Sequence, residues 1–384
     1  MASLVDRLAE GLAGLEHENL RRTRRVLDSP QGPRIVVDGV SALNFSSNDY
    51  LGLANDARLR AAAHAALDQY GTGAGASALV TGHMRVHDDA ERRFARFTGL
   101  PAALLFSSGY AANLGILAAL CDRHAEIFAD RLNHACLNDG AILSRATFTR
   151  YPHLDLAALE ARLASSSAAV RVIATDTVFS MDGELAPVPQ LLALAERHDA
   201  WLVLDDAHGI GVLGSTGRGA LEHFGIRSPR IVYMATLGKA LGGHGAFVGA
   251  EPEVIDWLVQ KARTYVFSTA LPPPVAAAAI AALDVLEDDP ALVKRLHARI
   301  AQFRAAASAL PLGRSATAIQ PLVLGDAARA QAASAKLLQR GFCVPAIRPP
   351  TVPDGTARLR VSLSAAHERA DVEALAGALA QCLP

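Results

Sequence analysis

The chain has few aromatic residues and no excess of either charge. Aromatic side chains make up 5% of its 384 residues, which argues against stacking platforms for single-stranded nucleic acid. Lysine and arginine number 37 against 38 aspartate and glutamate, so the formal net charge is −1 and no basic DNA- or RNA-binding surface is indicated. With 51% hydrophobic and 20% charged residues, the composition predicts a globular protein with a large core.

Cysteine is scarce, and the four cysteines form no motif. They are scattered without a CxxC pair or a histidine at metal-ligand spacing, at Cys121, Cys136, Cys343 and Cys382. We therefore interpret them as buried thiols in a reducing compartment rather than as disulfides or zinc ligands.

Membrane-targeting segments are also lacking. The opening residues MASLVDRLAEGL carry charges where a signal peptide requires an uninterrupted apolar stretch. A charge-free run over 97–121 is long enough to span a bilayer, but Ser107, Ser108 and Gly109 interrupt it. This pattern predicts a strand, a turn and a buried helix, and a cytoplasmic protein.

Three regions differ in pattern: an N-terminal arm over 1–45, a large α/β domain over 46–288 and a smaller α+β domain over 289–384. Short, almost continuous apolar runs in the large region are typical of strands buried on both faces of a mostly parallel sheet. The runs are 103–106, 126–130, 171–176, 201–206, 231–236 and 245–249. Ligands of such sheets bind at the carboxyl ends of the strands.

Three predicted strand ends carry unusual residues. A small-residue turn over 107–113 opens a helix and could bind phosphate, although an ordinary turn has the same composition. Asp205 and His208 follow another strand; the pair Asp205 and Asp206 could equally hold a metal or cap a helix. Lys239 lies in a glycine-lined loop, where a snorkelling surface lysine is the ordinary alternative.

These pieces together fit pyridoxal phosphate. That cofactor requires a lysine for its Schiff base, an acid at the pyridine nitrogen and a donor cradle for its phosphate. Lys239, Asp205 and the turn over 108–110 would supply all three. His134, which follows the strand over 126–130, could stack on the ring.

Seven motifs extend this pattern over almost the whole chain. They are NFSSNDYLGL (44–53), GTGAGAS (71–77), FSSGYAAN (106–113), DRLNHACLNDG (130–140), TDTVFSMDGELAP (175–187), VLDDAHGIGVLG (203–214) and TLGKALGG (236–243). The chain resembles the α-oxoamine synthases, pyridoxal-phosphate enzymes that join an amino acid to an acyl thioester with loss of carbon dioxide. The resemblance implies an α/β fold of type I, the aspartate aminotransferase-like transferase fold, and a homodimer.

The tail over 346–367 resembles the members that use L-alanine and pimeloyl-CoA or pimeloyl-acyl carrier protein in biotin biosynthesis. Two mild departures from the family pattern occur, at Ala78, where many members carry arginine, and at His244 after the lysine loop. Neither departure removes a catalytic group.

The resemblance assigns catalysis to Lys239, His134, Asp205 and His208, with Lys239 as acid and base. It implies that the cofactor is bound by Ser108, Gly109, Tyr110, His134, Ser180, Asp205, His208, Thr236, Lys239 and, from the other subunit, Thr269. It implies that the substrates are bound by Arg21, Asn48, His134, Arg348, Thr351 and Arg360, with Asn48 and Arg360 on the amino-acid carboxylate. An arginine fork suits a carboxylate because it binds both oxygens at once.

Alternatives remain at this point. Another α-oxoamine synthase, such as 2-amino-3-ketobutyrate CoA ligase, would use a different amino acid and acyl group. A non-catalytic α/β scaffold would not need Lys239, Asp205 and His208. A dinucleotide-binding site at GTGAG (71–75) is disfavoured because the preceding residues are helical rather than a strand.

Overall fold

The computed structural model describes residues 3–382 of the chain. Its α-helices are α1 (Leu4–His17), α2 (Ala57–Tyr70), α3 (Arg85–Thr98), α4 (Gly109–Leu120), α5 (Ala135–Ser144), α6 (Leu156–Ser165), α7 (Val188–Arg197), α8 (Ala220–Phe224), α9 (Pro252–Lys261), α10 (Arg263–Val266), α11 (Pro273–Asp288), α12 (Ala291–Ala306), α13 (Ala327–Gln339) and α14 (Arg369–Cys382). Its strands are β1 (Arg34–Val37), β2 (Val40–Asn44), β3 (Ala102–Phe106), β4 (Ala125–Asp130), β5 (Thr147–Tyr151), β6 (Val170–Asp176), β7 (Ala200–Asp205), β8 (Ile231–Thr236), β9 (Ala246–Ala250), β10 (Ile319–Gly325), β11 (Phe342–Cys343), β12 (Ala346–Ile347) and β13 (Ala357–Ser362).

The chain divides into two compact units. The terminal unit comprises Met1–Ser47, Met181–Gly183 and His297–Pro384, and the central unit comprises Asn48–Ser180 and Glu184–Leu296. The three-part division expected from the sequence stays a prediction.

The central unit is built on a seven-stranded sheet in the order β3-β9-β8-β7-β6-β4-β5. All neighbouring pairs are parallel except those of β9, which runs antiparallel to β3 and β8. The six apolar runs identified in the sequence form β3, β4, β6, β7, β8 and β9. The mostly parallel α/β sheet predicted from them is therefore confirmed.

Helices pack their apolar residues against this sheet. In α4, Ala112, Ile116 and Leu117 are fully buried and join a core cluster with residues of β3, β4 and β9. The charge-free run over 97–121 thus forms a strand and a buried helix, as predicted. Within residues 3–382, no helix combines the length and hydrophobicity needed to span a membrane.

The terminal unit contains two small sheets, β1-β2-β11 and β10-β13-β12. Strand β13 is central in the second sheet and all six of its residues are buried. Helix α14 buries Val372, Leu375 and Leu379, the stripe that the sequence predicts for the closing helix. The four cysteines of the two units are buried, as predicted.

Candidate active site

The carboxyl ends of β6, β7 and β8 form the centre of the candidate site. Asp176 and Asp205 are direct partners in the β6–β7 register, so their side chains leave the sheet at the same edge. Thr236 ends β8, and its hydroxyl donates to the carbonyl of Gly245 at 3.0 Å. A Cβ built on Gly109 would lie 3.9 Å from Cβ of Thr236, so the small-residue turn adjoins the end of β8.

Asp205 is held as a hydrogen-bond acceptor at this edge. It is 4% exposed. Its Oδ1 accepts the N–H of Ala207 at 2.9 Å and its Oδ2 accepts Nδ2 of Asn113 at 2.7 Å. Because both partners are N–H donors, this environment suits an ionised carboxylate. The pyridinium nitrogen of pyridoxal phosphate requires such a carboxylate.

The adjacent Asp206 has a different set of partners. Its oxygens accept the hydroxyl of Thr177, the hydroxyl of Tyr233 at 2.6 Å and the N–H of Ala220 at 2.9 Å. Burial raises its pKa to about 6. The two acids therefore bind separate groups rather than converging on one ligand. In the described residues, no cluster of three or more histidine, cysteine, aspartate or glutamate side chains is arranged to hold a metal ion.

Lys239 lies within hydrogen-bonding distance of His208. Its Nζ is 2.8 Å from Nε2 of His208, and Nδ1 of the same ring is 2.7 Å from the hydroxyl of Tyr50. Lys239 is in the loop between β8 and β9, and His208 is in the turn after β7. The structure thus brings together a lysine and a histidine that the sequence places 31 residues apart.

His134 is fixed at the start of α5 as its N-cap. Its backbone N–H donates to Oδ2 of Asp176 at 2.7 Å. Its Nδ1 accepts the backbone N–H of Cys136 at 3.3 Å and lies 2.8 Å from the Cys136 sulfur. Burial lowers the pKa of His134, so the ring is neutral with its proton on Nε2. A neutral imidazole that hydrogen bonds hold in one position is suited to stacking on a flat ring.

Asp176 is the hydrogen-bond acceptor for the backbone N–H of His134. Burial raises the pKa of Asp176 well above its ordinary range, and the neighbouring charge of Asp205 raises it further. Two adjacent carboxylates do not ionise together easily in a buried site. The raised pKa therefore favours the protonated form of Asp176.

The small-residue turn ends at the N-terminus of α4. Ser108 is the N-cap, and its Oγ accepts the N–H of Ala111 at 3.1 Å. Tyr110 is partly exposed, and its hydroxyl donates to Asp139. That hydrogen bond raises the pKa of Tyr110. The turn thus offers backbone amides, a serine and a glycine next to Thr236, which is a donor set suited to phosphate.

Two further predicted residues lie outside the helices and strands of the central unit. Ser180 follows Phe179, whose N–H donates to the carbonyl of Glu184 in the turn after β6. Thr269 is exposed and forms an isolated antiparallel bridge with Ser77.

The predicted acyl-binding residues belong to the terminal unit and share one cavity there. It has a volume of about 720 Å³. Its polar lining includes Arg21, Arg22, Arg25, Arg348 and Thr351, and its apolar lining includes Leu27, Ile35 and Val37. Nη2 of Arg22 donates to Oγ1 of Thr351 at 2.9 Å. Burial and the charge of Arg22 lower the pKa of Arg348.

The two residues expected on the amino-acid carboxylate belong to different units. Arg360 lies on β13 in the terminal unit, is 5% exposed and donates to Oγ of Ser362 at 2.9 Å. Asn48 begins the central unit, where its Oδ1 accepts the hydroxyl of Tyr50 at 3.0 Å. The departures from the family pattern lie outside these contacts: Ala78 begins a single π-helical turn and His244 is exposed.

Sequence reasoning missed four residues of the central site: Tyr50, Asn113, Cys136 and Asp176. Each lies inside a motif quoted above, but neither its type nor its spacing marks it as functional. Asp176 could have been found, because it ends a strand in the same way as Asp205. The other three act through contacts that only the fold creates.

The central site as a whole fits pyridoxal phosphate. Lys239 could supply the amine, Asp205 the carboxylate, and the turn at Ser108 the phosphate donors. His134 lies beside Cys136, which is 3.9 Å from Asp205, so the stacking residue and the acid adjoin each other.

The chain is similar to known proteins over most of its length. Residues 40–379 match the family described as aminotransferase class I and II. The 8-amino-7-oxononanoate synthase of Methylococcus capsulatus is 52% identical over 379 residues, 98% of each chain. That of Methylobacillus flagellatus is 54% identical over 374 residues, 97% of this chain and 94% of the relative.

Solved structures show the same relationship. A serine palmitoyltransferase from S. paucimobilis with bound PLP has a TM-score of 0.93 at 28% identity, covering 99% of this chain and 98% of its own. The 8-amino-7-oxononanoate synthase of Francisella tularensis has a TM-score of 0.77 at 32% identity, covering 88% and 97%.

The fold and the site define a pyridoxal-phosphate enzyme of fold type I, which confirms the predicted fold class and cofactor. Within that class, the chain belongs to the 8-amino-7-oxononanoate synthase family, whose members are acyltransferases of biotin biosynthesis. The resemblance identified in the sequence is therefore confirmed.

Proposed function

We propose that the enzyme condenses L-alanine with a pimeloyl thioester to give 8-amino-7-oxononanoate, carbon dioxide and a free thiol. The observation that carries this proposal is the convergence of Lys239, His208 and Asp205 at adjoining strand ends in a chain so similar to known synthases. Bound pyridoxal phosphate supplies an electron sink for negative charge at the amino-acid α-carbon.

Cofactor binding and proton transfer are assigned to residues of the central unit. Lys239 Nζ anchors the cofactor and then moves the α-proton of alanine. His208 Nε2, 2.8 Å away, orients that amine. Asp205 keeps a proton on the pyridine nitrogen, because its charge is stabilised by Asn113 and Ala207. His134 covers the ring face, and Ser108, Gly109, Tyr110, Ser180 and Thr236 hold the cofactor oxygens and phosphate.

The terminal unit is proposed to bind the acyl substrate. The cavity of about 720 Å³ combines arginines with an apolar wall, a lining that suits a hydrocarbon chain ending in a carboxylate. Arg21, Arg348 and Thr351 are the proposed contacts. Asn48 is proposed to bind the alanine carboxylate, and Arg360 is a second candidate for that role.

A homodimer is proposed from exposed apolar side chains on the central unit. Val80 is 73% exposed, Phe267 is 71% exposed and Tyr110 is 46% exposed. A patch of exposed apolar side chains is typical of an interface. Thr269, two residues after Phe267, is proposed to reach the cofactor phosphate of the other subunit. The four free thiols support a cytoplasmic location.

The proposed reaction is tested by steady-state kinetics with pimeloyl-CoA and pimeloyl-acyl carrier protein. Each donor is paired in turn with alanine, glycine and serine, and the product is identified by mass. We expect 8-amino-7-oxononanoate from alanine with at least one donor. A clear preference for glycine or serine would contradict the proposed amino-acid substrate, and a purified protein without visible cofactor absorption would favour a scaffold.

A further inference from the structure

Tyr50 places one buried hydroxyl between two proposed site residues of the central unit. The side chain is 1% exposed. Its hydroxyl oxygen lies 2.7 Å from Nδ1 of His208 and 3.0 Å from Oδ1 of Asn48. The contact with His208 depends on the fold, since that residue is 158 positions away in sequence.

The positions of the hydrogens on Tyr50 and His208 follow from the number of hydrogens that this hydroxyl can donate. A phenol has a single hydrogen, and here it donates to the amide oxygen of Asn48. Toward His208 the phenol oxygen must therefore accept, so the ring hydrogen of His208 is on Nδ1. The lone pair is then on Nε2, which is the atom that faces Lys239 Nζ at 2.8 Å. Hydrogen bonds aligned in one direction strengthen each other.

The same hydrogen bond defines one orientation of the Asn48 amide. With Oδ1 accepting from Tyr50, the Nδ2 hydrogens of Asn48 are at the other end of the amide group. A substrate carboxylate is an acceptor only, so an asparagine can bind it only through Nδ2. If the Asn48 amide were flipped, Oδ1 rather than Nδ2 would face the substrate carboxylate, and no hydrogen bond could form.

The backbone around Tyr50 fixes the place of this hydroxyl. The N–H of Tyr50 donates to the carbonyl of Asn48 at 2.8 Å. The next residues are held by Asp49, whose Oδ1 accepts the N–H of Leu53 at 2.8 Å and of Ala54 at 3.2 Å. The turn is thus a rigid support for the phenol.

We propose that Tyr50 is a positioning residue that selects both the tautomer of His208 and the amide orientation of Asn48. It thereby couples the residue that binds the alanine carboxylate to the residue that orients Lys239. This inference rests on the proposed function for the role of Asn48, but its His208 half stands on the hydrogen bonds alone.

The first test measures the tautomer directly. Full-length protein with ¹⁵N-labelled histidine, with and without pyridoxal phosphate, is compared with Tyr50→Phe, and His208→Gln assigns the signals. We expect Nδ1 and Nε2 of His208 to show one tautomer in the parent protein and a shift of both signals in Tyr50→Phe. The matched control is Tyr233→Phe, which removes another buried hydroxyl, bonded to Asp206 at 2.6 Å. Unchanged His208 signals in Tyr50→Phe, or the same change in Tyr233→Phe, would overturn the His208 half.

The second test separates the two substrates. Loss of one hydrogen bond corresponds to a factor of about 3 to 10, so the KM for alanine in Tyr50→Phe should rise by about that factor. The KM for the pimeloyl thioester should stay unchanged. A rise in both KM values would indicate general damage to the fold and would overturn the Asn48 half.

A double-mutant cycle with Asn48→Ala completes the test. If Tyr50 acts through Asn48, Tyr50→Phe should add little to the alanine KM in the Asn48→Ala background. Full additivity would overturn the Asn48 half. If Asn48→Ala alone leaves the alanine KM unchanged, the proposed function has misassigned Asn48 and that half fails with it, whereas the tautomer measurement still decides the His208 half.

Discussion

The side-chain amide of Asn113 donates to the carboxylate of Asp205 at 2.7 Å. The bond joins the second turn of α4, just after the proposed phosphate-binding residues, to the end of β7. Asp206, one residue further along, is bonded instead to Thr177, Tyr233 and Ala220. The two neighbouring acids thus have different roles, since Asp205 belongs to the site and Asp206 holds the fold around it.

This difference predicts opposite consequences of the same substitution at the two positions. Asp205→Asn should lower turnover by about a hundredfold or more, because a preorganised charge at the cofactor is lost. Asp206→Asn should lose far less activity per folded molecule. It should instead lower the free energy of unfolding by about 1–3 kcal/mol, because a buried donor is left without an ideal acceptor.

Urea unfolding and kcat, measured on both variants, separate the two effects. Asn113→Ala serves as a matched control, because it removes the donor to Asp205 and leaves the carboxylate in place. Equal losses of activity at Asp205 and Asp206 would contradict the assignment and support the alternative of a shared metal site.

The amine of Lys239 should be required for chemistry but not for folding. Its side chain is only partly buried, in a loop between strands. Lys239→Ala should therefore have nearly the same unfolding temperature as the unsubstituted protein. It should lose the visible absorption of the lysine-bound cofactor, and its turnover should fall by at least about a thousandfold. Circular dichroism, absorption spectra and product analysis measure these three quantities. Multiple turnovers by the variant would disprove the assignment.

Sequence alone predicted the sheet well because strands buried on both faces must be apolar along their whole length. The run that forms β8 is buried at all six positions. Strand β5 is not marked by an apolar run, because three of the five residues of Thr147–Tyr151 are polar and the strand lies at the edge of the sheet. Its pairing with β4 is decided by tertiary contacts rather than by composition.

The candidate site shows the same limit. Strand-end position and residue chemistry predict Asp205, His134 and Lys239 as site residues, and these assignments stay predictions. The contact between Asn113 and Asp205 joins residues 92 positions apart, and neither composition nor spacing encodes it. The residues that contact the functional side chains are determined by packing. They can therefore be identified only once the positions of the strands and helices are known.

The buried side chain of His367 should make the free energy of unfolding depend on pH. Its Nδ1 accepts the N–H of Ser364 at 3.0 Å and its Nε2 donates to the carbonyl of Asn44 at 2.9 Å, so the buried ring is neutral. Burial lowers its pKa from 6.5 to about 4. The unfolded chain therefore binds a proton more readily than the folded chain between these values. The resulting stability is complete above pH 6.5 and declines by about 3 kcal/mol as the pH falls to 4.

The measurement is urea unfolding of the parent protein and His367→Gln at about pH 7.5, 5.5 and 4.5, values that bracket this decline. Glutamine can keep one donor and one acceptor but does not titrate. The difference in unfolding free energy between the two proteins should therefore shift in favour of His367→Gln as the pH falls. A difference that does not change with pH would show that His367 is not the responsible group.

The proposed dimer predicts that substitution of Thr269 affects assembly and cofactor retention together. The N–H of Ala270 donates to the carbonyl of Ala76 at 3.0 Å, which holds this exposed segment in place. A two-fold interface repeats each change on both subunits. Thr269→Arg should weaken dimerisation, measured by sedimentation, and cofactor retention, measured by absorption after dialysis. Thr147→Arg, at an exposed position of the edge strand β5, is the control and should do neither.

Mixed dimers test whether the sites are shared between subunits. A dimer of one Lys239→Ala chain and one Thr269→Arg chain has one site with both defects and one site in which Lys239 and Thr269 are both intact. When mass analysis shows that half of the dimers are mixed, activity should return to about one quarter of the parent value, because each mixed dimer has one intact site of two. If each site used residues of one subunit only, every site would carry a defect and mixing would restore nothing. Mixed dimers that are verified by mass but remain as inactive as the separate variants would therefore rule out shared sites.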